Sequence, residues 1–276
     1  LVNVAGMYRD GHALFVHAVA LPYRDRSHFD GQNVLETGGA APYAVRDGWL
    51  NRLLQNMPGV QSETAYSIGL DEMRILEGAA PTRSWAPETQ FRISMQGQLL
   101  LQHVWHDDPL FREAGAQAIE IIGRGVEPTQ EESGPTRDAR ALARFGAERL
   151  NDQTRIASFS ISGWDSHAQQ ERVIQRPLER LSAAILTLKE QLGANWDRTT
   201  VLAMTEFGRT VRENGGGGTD HGTGGAMLMA GGAIRGRRAY GGWPGLGESD
   251  LYADRDLMPL RDIRAYAAWT LRDLFG

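Results

Sequence analysis

The chain has 276 residues, 41% of them hydrophobic, and a formal charge of -5; that is enough for one large domain or two small ones, and too acidic overall for a general grip on nucleic acid or an anionic membrane. It contains no cysteine, which excludes disulfides, thiolate metal sites, iron–sulfur clusters and a cysteine nucleophile. No run approaches the roughly 18 apolar residues of a membrane-spanning helix.

The opening "LVNVAGMYRDG" reads as the end of a helix without the basic head and long apolar middle of a signal; a segment ahead of it is expected. Next comes "ALFVHAVA" (Ala13 to Ala20), short, apolar and branched as a buried strand is. A helical pattern follows in "SHFDGQNVLETG". The stretch from Pro42 to Pro87 is mixed, with turns and an extended "TAYSIG". Helical patterns then run through "FRISMQGQLLLQHVWHDDPLFREAGAQAIEIIG" and "DARALARFGAERLND", separated by a polar loop, "EPTQEESGPTRD". "RIASFSIS" (Arg155 to Ser162) is a second buried strand. In the helix after it, Ile174, Leu178, Leu181, Ile185, Leu188 and Leu192 recur at steps of four and three, and Gly193 is placed to end it. Pro177 either kinks that helix or marks its true start. "TTVLAMT" and "AMLMAGG" are two more strands, and "DIRAYAAWTLRDLF" closes the chain as a helix. Strands alternating with helices predict an α/β fold with a mainly parallel sheet, whose ligands gather at the carboxyl edge of the strands.

Chemistry concentrates at two strand ends. "GWDSHAQQ" places Asp165 and His167 two apart, on the same side of an extended chain. "TEFGRTVRENGGGGTDHG" places Glu206 directly after a strand and Asp220 and His221 beyond four consecutive glycines. Glycine permits close backbone approach and positive φ, as a loop folded around an ion requires. These five residues form the expected metal site, and their mixture of carboxylate and imidazole suits zinc or manganese better than magnesium or calcium. Arg209 is either a solvated charge or a fork for an anionic substrate, and Arg212 reads as solvated. Ser27 and His28 follow the first strand. Ser27 with Asp30 resembles a capping box, while an oxygen nucleophile at a helix start, assisted by His28 or with His28 on a metal, is the other reading. His17 reads as a satisfied core histidine, and His103 and His106 as packing or surface residues.

"HAVALPYRDRSHFDGQNVLETG", "GWDSHAQQ", the block from "TEFGR" through "TDHG" to "YGGWPGL", and "DLMPLRDIRAYAAWTLRDLFG" resemble the successive motifs of the DUF1501 family, grouped with the alkaline phosphatase and sulfatase superfamily. The resemblance covers nearly the whole chain and implies a single domain over residues 1–276, a three-layer α/β sandwich and a divalent metal centre. It further implies action on small phosphate or sulfate esters outside the cytoplasm, since members carry an export signal. In that setting Ser27, His28 and Arg209 are the candidate catalytic residues, and Arg26 and Asn214 the candidate contacts to the anion. Members also carry a first strand ending in a Gly-Gly-x-Asp-Gly type motif that this sequence lacks. "ALPYR" has the spacing of the sulfatase motif with Ala20 where the reacting residue would stand, which excludes the formylglycine route in that register. The competing expectation is a non-catalytic binding or assembly protein that keeps the fold and a structural metal.

Overall fold

A computed structural model describes residues 2–70, 73–86 and 134–276. The expected helix at 91–123, with His103 and His106, and most of the polar loop at 127–138 lie outside the described residues.

The fold is mixed α/β. Helix α1 (Val2–Arg9) leads into strand β1 (Ala13–Ala20), which has the bounds the sequence indicated. The next helix, α2 (His28–Thr37), ends at Gly38, whose φ of 68° is the left-handed conformation that glycine adopts without penalty. Ser27 occupies the N-cap position of α2, but its side chain makes no capping hydrogen bond among the described residues. Asp30 instead accepts from Tyr23 Oη at 3.4 Å, and the same phenol accepts from the Ser27 N–H at 3.2 Å. The expected capping box is therefore not formed: the tyrosine hydroxyl accepts from the Ser27 N–H in place of the Asp30 carboxylate, and Ser27 Oγ makes no capping bond.

Helix α3 (Trp49–Asn56), strand β2 (Ala65–Ile68) and the short β3 (Arg83–Trp85) give order to the stretch that looked mixed. Helix α4 (Arg137–Leu150) buries Ala139, Leu142, Ala143, Gly146 and Ala147, a stripe at steps of three and one that small residues let pack closely. After strand β4 (Ile156–Phe159) come α5 (Gln170–Val173) and α6 (Gln175–Leu192). Pro177 falls in the first turn of α6, where its missing N–H costs no helical bond. Strands β5 (Val201–Ala203), β6 (Gly225–Ala230), β7 (Ala239–Tyr240) and β8 (Arg261–Asp262) precede the last helix, α7 (Ile263–Phe275).

The described strands form two sheets, one ordered β5-β6-β1-β7 with β8 also on β1, and one ordered β3-β2-β4. The second sheet is parallel. The first is not mainly parallel, as expected, but mixed: β6 runs antiparallel to both β1 and β5, while β7 and β8 run parallel to β1. The cause lies in the connection. A parallel pair needs a crossover, usually a helix, and β5 returns to β6 through the glycine loop with no helix between them. At His17/Val19 the register of β1 shifts, with Ala18 at a φ of 55°; the bulge separates the stretch of β1 that pairs β7 from the stretch that pairs β8.

Helices cover both faces of the first sheet. Leu228 and Ala230 of β6 and Ala13 of β1 pack with α1, α4 and α6 in one cluster, while Leu14, Val16, Met227 and Met229 pack with Val34 of α2 and Ile263 and Tyr266 of α7 in another. Strands β4 and β5, joined by the α5–α6 crossover, do not pair with each other. Both line one cleft of about 2030 Å³, together with Leu181, Ala184 and Leu188 of α6. His17 differs from its expectation: its Nδ1 is buried without a hydrogen-bond partner among the described residues, and its ring lies 5.7 Å from that of Trp243.

Helix α7 is capped by Asp262, whose Oδ1 accepts from the Arg264 N–H at 2.9 Å, while the Arg264 guanidinium also bonds the carboxylate. Burial works to raise the Asp262 carboxyl, but the bonds and charge of Arg264 prevail and hold it below the usual carboxylate range. A depressed carboxyl contributes stability above the unfolded value near 3.9 and loses it as pH falls through the lower folded value. Asp262→Ala should cost about 1 kcal/mol at neutral pH. In denaturant titrations the gap to wild type should narrow as pH falls below the unfolded value near 3.9.

Candidate metal centre

Three strands deliver the cluster to one end of the sheets. The loop after β1 leads to His28, the first residue of α2; the loop after β4 carries Asp165 and His167; Glu206 follows β5. The chain then folds back through the glycine run, so that Asp220 and His221 stand just ahead of β6. Two isolated antiparallel bridges, Ala168 to Gly217 and Arg209 to His221, hold this return in place. Gly218 fits because it has no side chain: a Cβ there would lie 2.3 Å from the His167 carbonyl carbon.

Imidazole nitrogens converge at the centre. His28 Nε2 lies 3.1 Å from His221 Nε2, and His167 Nε2 lies 3.0 Å from that same atom. Asp165 Oδ1 is 2.9 Å from His167 Nε2 and 3.1 Å from His221 Nε2, and its Oδ2 is 3.4 Å from His28 Nε2. Each ring has its other nitrogen engaged. His28 Nδ1 meets Glu206 Oε1 at 2.6 Å, His221 Nδ1 meets the Arg26 carbonyl at 3.0 Å, and His167 Nδ1 meets Asp220 Oδ1 at 3.2 Å. These partners are acceptors, and in the neutral tautomer that places the proton on Nδ1 to meet them, Nε2 presents a lone pair to the centre.

Lone pairs facing each other at such distances repel unless a proton or a metal cation lies between them. Donors on a tetrahedral ion with bonds of about 2.0–2.1 Å sit about 3.4 Å apart, close to the spacing here. His28, Asp165 and His221 form a group able to hold a metal ion, and His167 adjoins it. An outer ring of carboxylates and a carbonyl on Nδ1 is also what orients metal-binding histidines.

The residues singled out in the sequence divide into two shells. Asp165, His167 and His221 face the centre, and His28 joins them. Glu206 and Asp220, expected among the ligands, stand behind His28 and His167 instead. Glu206 Oε2 accepts from Thr205 Oγ1 at 2.9 Å, and its side chain is 14% exposed. Arg209 donates to Asp165 Oδ1 and to the Thr219 carbonyl, and its Nε reaches Thr219 Oγ1 at 3.0 Å; it braces the loop rather than presenting a free fork. Asn214 donates to the His167 carbonyl and to Asp220 Oδ1, both at 2.9 Å, and accepts from the Gly216 and Gly218 N–H groups. The Arg26 guanidinium lies on Asp256 at 2.7 Å. Ser27 sits between Arg26 and His28 along the chain. Arg212 pairs with exposed Glu248, as a solvated charge does.

Electrostatics favour ionised carboxylates here. Burial works to raise the Asp165 carboxyl, but the hydrogen bond and charge of Arg209, joined by His167 and His221 whenever those rings are protonated, outweigh it and hold it low. Asp220 is held low chiefly by Asn214 and then by His167. Phe207, which sequence reasoning passed over, sets its ring, tilted by about 40°, 4.9 Å from both His28 and His221, as an apolar wall of the centre. Its position next to Glu206 in "TEFGR" was the available signal.

A mixed α/β protein with a histidine–carboxylate cluster at its strand ends is the class these observations define. The chain belongs to the DUF1501 family: the model of that family, described as a protein of unknown function, matches residues 12–271. No curated protein matches the chain, and no solved structure does.

Proposed function

We propose that this protein is a metal-dependent hydrolase of small phosphate or sulfate esters, of the alkaline phosphatase type. The observation that carries the reading is the convergence of three Nε2 atoms on Asp165, each ring held from behind at Nδ1 by an acceptor. His28, His167, His221 and Asp165 would hold the ion, and three imidazoles with one carboxylate suit zinc first and manganese next. A divalent ion there would supply positive charge to an ester oxygen and favour a water-derived nucleophile near neutral pH. The chain's own residues do the rest. Glu206 and Asp220 fix the rings, Arg209 holds Asp165 ionised, and Phe207 keeps water from one side. Ser27, whose hydroxyl is not spent on a cap, is the nucleophile of choice if the reaction passes through a covalent intermediate.

The finer architecture belongs to the same reading. A three-layer sandwich goes with the family resemblance, and the helices packed on both faces of the first sheet support it. Export from the cytoplasm goes with the family resemblance, and fractionation of cells producing the natural protein tests it.

A second reading has its own observation. Four protein donors would complete a tetrahedral ion, and a closed ion is structural, which suits a non-catalytic binding or assembly protein. Against it, the Asp165 and His167 side chains are 42% and 46% exposed, open enough for a small anion to approach. Metal analysis followed by a panel of aryl phosphates, phosphodiesters and sulfates decides between them. Turnover that requires zinc or manganese and disappears in His28→Ala is expected; a stoichiometric ion with no turnover on any ester supports the structural reading.

A further inference from the structure

We propose that the turn at residues 252–256, and Asp256 above all, is a positioning device that fixes which nitrogen of His221 faces the metal centre. The inference rests on the metal centre proposed above. Asp256 is fully buried, an expensive place for a carboxylate unless charge and hydrogen bonds compensate it. Its Oδ2 accepts from Arg26 Nη2 at 2.7 Å, Arg26 Nε at 3.2 Å and Thr223 Oγ1 at 2.8 Å.

Each of those contacts bears on His221. Arg26 has a φ of 61°, a left-handed conformation unusual for a residue with a side chain, and its carbonyl accepts from His221 Nδ1 at 3.0 Å. The Arg26–Asp256 pair holds that backbone in place, and so holds the acceptor. Thr223 stands two residues past His221. From the same turn, Arg255 Nη2 donates to the His221 carbonyl at 2.5 Å. The turn is itself made rigid by reciprocal backbone bonds between Tyr252 and Asp256, both 2.9 Å, around Ala253 and Asp254 at positive φ. Val211 N–H, donating to the Arg255 carbonyl at 3.1 Å, anchors it beside the Arg209 segment.

A neutral imidazole places its proton on either nitrogen, and only the tautomer with Nδ1–H leaves Nε2 free to bind an ion. Among the described residues Asp256 makes no hydrogen bond to His221 or to the converging donors. It acts through the Arg26 carbonyl, and this distinguishes it from Glu206 and Asp220, which bond their rings directly.

The test uses the full chain, zinc as probe and two readouts, with Asp256→Asn and Arg26→Gln as variants. Arg26→Gln keeps the peptide carbonyl while removing the guanidinium, so it serves if Asp256→Asn fails to fold. The first readout is the His221 tautomer in metal-free protein, from nitrogen-15 shifts of the imidazole; the second is zinc affinity by competition with a chelating dye. In the variants the Nδ1–H form of His221 should lose its dominance, His28 should keep its own tautomer, and zinc affinity should fall roughly 10- to 100-fold. Arg212→Ala, on an exposed pair, should change neither. An unchanged His221 tautomer in a folded variant overturns the clamp. A wild type that shows the Nδ1–H tautomer yet binds no zinc overturns the metal reading and leaves the clamp standing, so the two failures are distinguishable.

Discussion

Zinc at a hundredfold excess over its Kd should raise the melting temperature of metal-stripped protein by roughly 5–10 °C, from about 2.7 kcal/mol of linkage spread over a chain of this size. Excess chelator should reverse the shift, and His221→Ala should abolish it. His221 is the residue to remove because its Nε2 is within 3.1 Å of each of the other three candidate ligands, His28, His167 and Asp165. The metal-free variant should be no less stable than metal-free wild type. Removing one of several facing lone pairs relieves repulsion, and functional sites are commonly built at the expense of stability. A destabilised but still zinc-responsive variant would show that the cluster is a packing arrangement, and a wild type indifferent to zinc and manganese would sink the metal centre.

Part of this cluster is legible in the sequence, and the remainder is hidden for definable reasons. Asp165, His167 and His221 follow from their positions just past or just before buried strands, since a strand end fixes a residue's place in an α/β fold. What spacing cannot show is the order of shells. Asp220 and His221 are neighbours in the chain, yet His221 faces the centre and Asp220 turns to the back of His167. Glu206 likewise reaches only the far nitrogen of His28. A carboxylate beside an imidazole reads identically in sequence whether both bind an ion or one orients the other. Asp256 had no sequence signal, being one of two acids in "YADRDLMPL"; burial distinguishes it. The mixed sheet could have been read from the missing helix between β5 and β6. The strand alternation over the rest of the chain outweighed that clue.

The four glycines at 215–218 are indistinguishable in sequence, and alanine substitutions should separate them by a wide margin. Freedom to turn accounts for one of them: Gly217 alone of the four has a positive φ, 69°. Gly215 has nothing within 4 Å of where a Cβ would stand, so Gly215→Ala should change stability by no more than about 0.5 kcal/mol. Gly218 is the opposite case. Its Cβ would fall 2.3 Å from the His167 carbonyl carbon, 2.4 Å from the carbonyl oxygen and 2.5 Å from the Ala168 nitrogen. All three are backbone atoms that cannot rotate away as a side chain does. The strip they belong to is stitched by Gln170 N–H to Gly217 carbonyl at 2.8 Å, Gln169 N–H to Gly216 carbonyl at 3.1 Å and Thr219 N–H to Ser166 carbonyl at 3.1 Å. An added methyl must therefore push apart the two segments that carry His167 and Asp220. Gly218→Ala should cost about 1–3 kcal/mol, as overpacking does, and weaken zinc binding at least tenfold, on the order of the loss when an outer-shell partner is removed. Denaturant midpoints and zinc competition on the two alanine variants, run side by side, check this. Equal behaviour of Gly215→Ala and Gly218→Ala would mean that the loop does not pack against the His167 segment, and the arrangement of the centre would have to be redrawn.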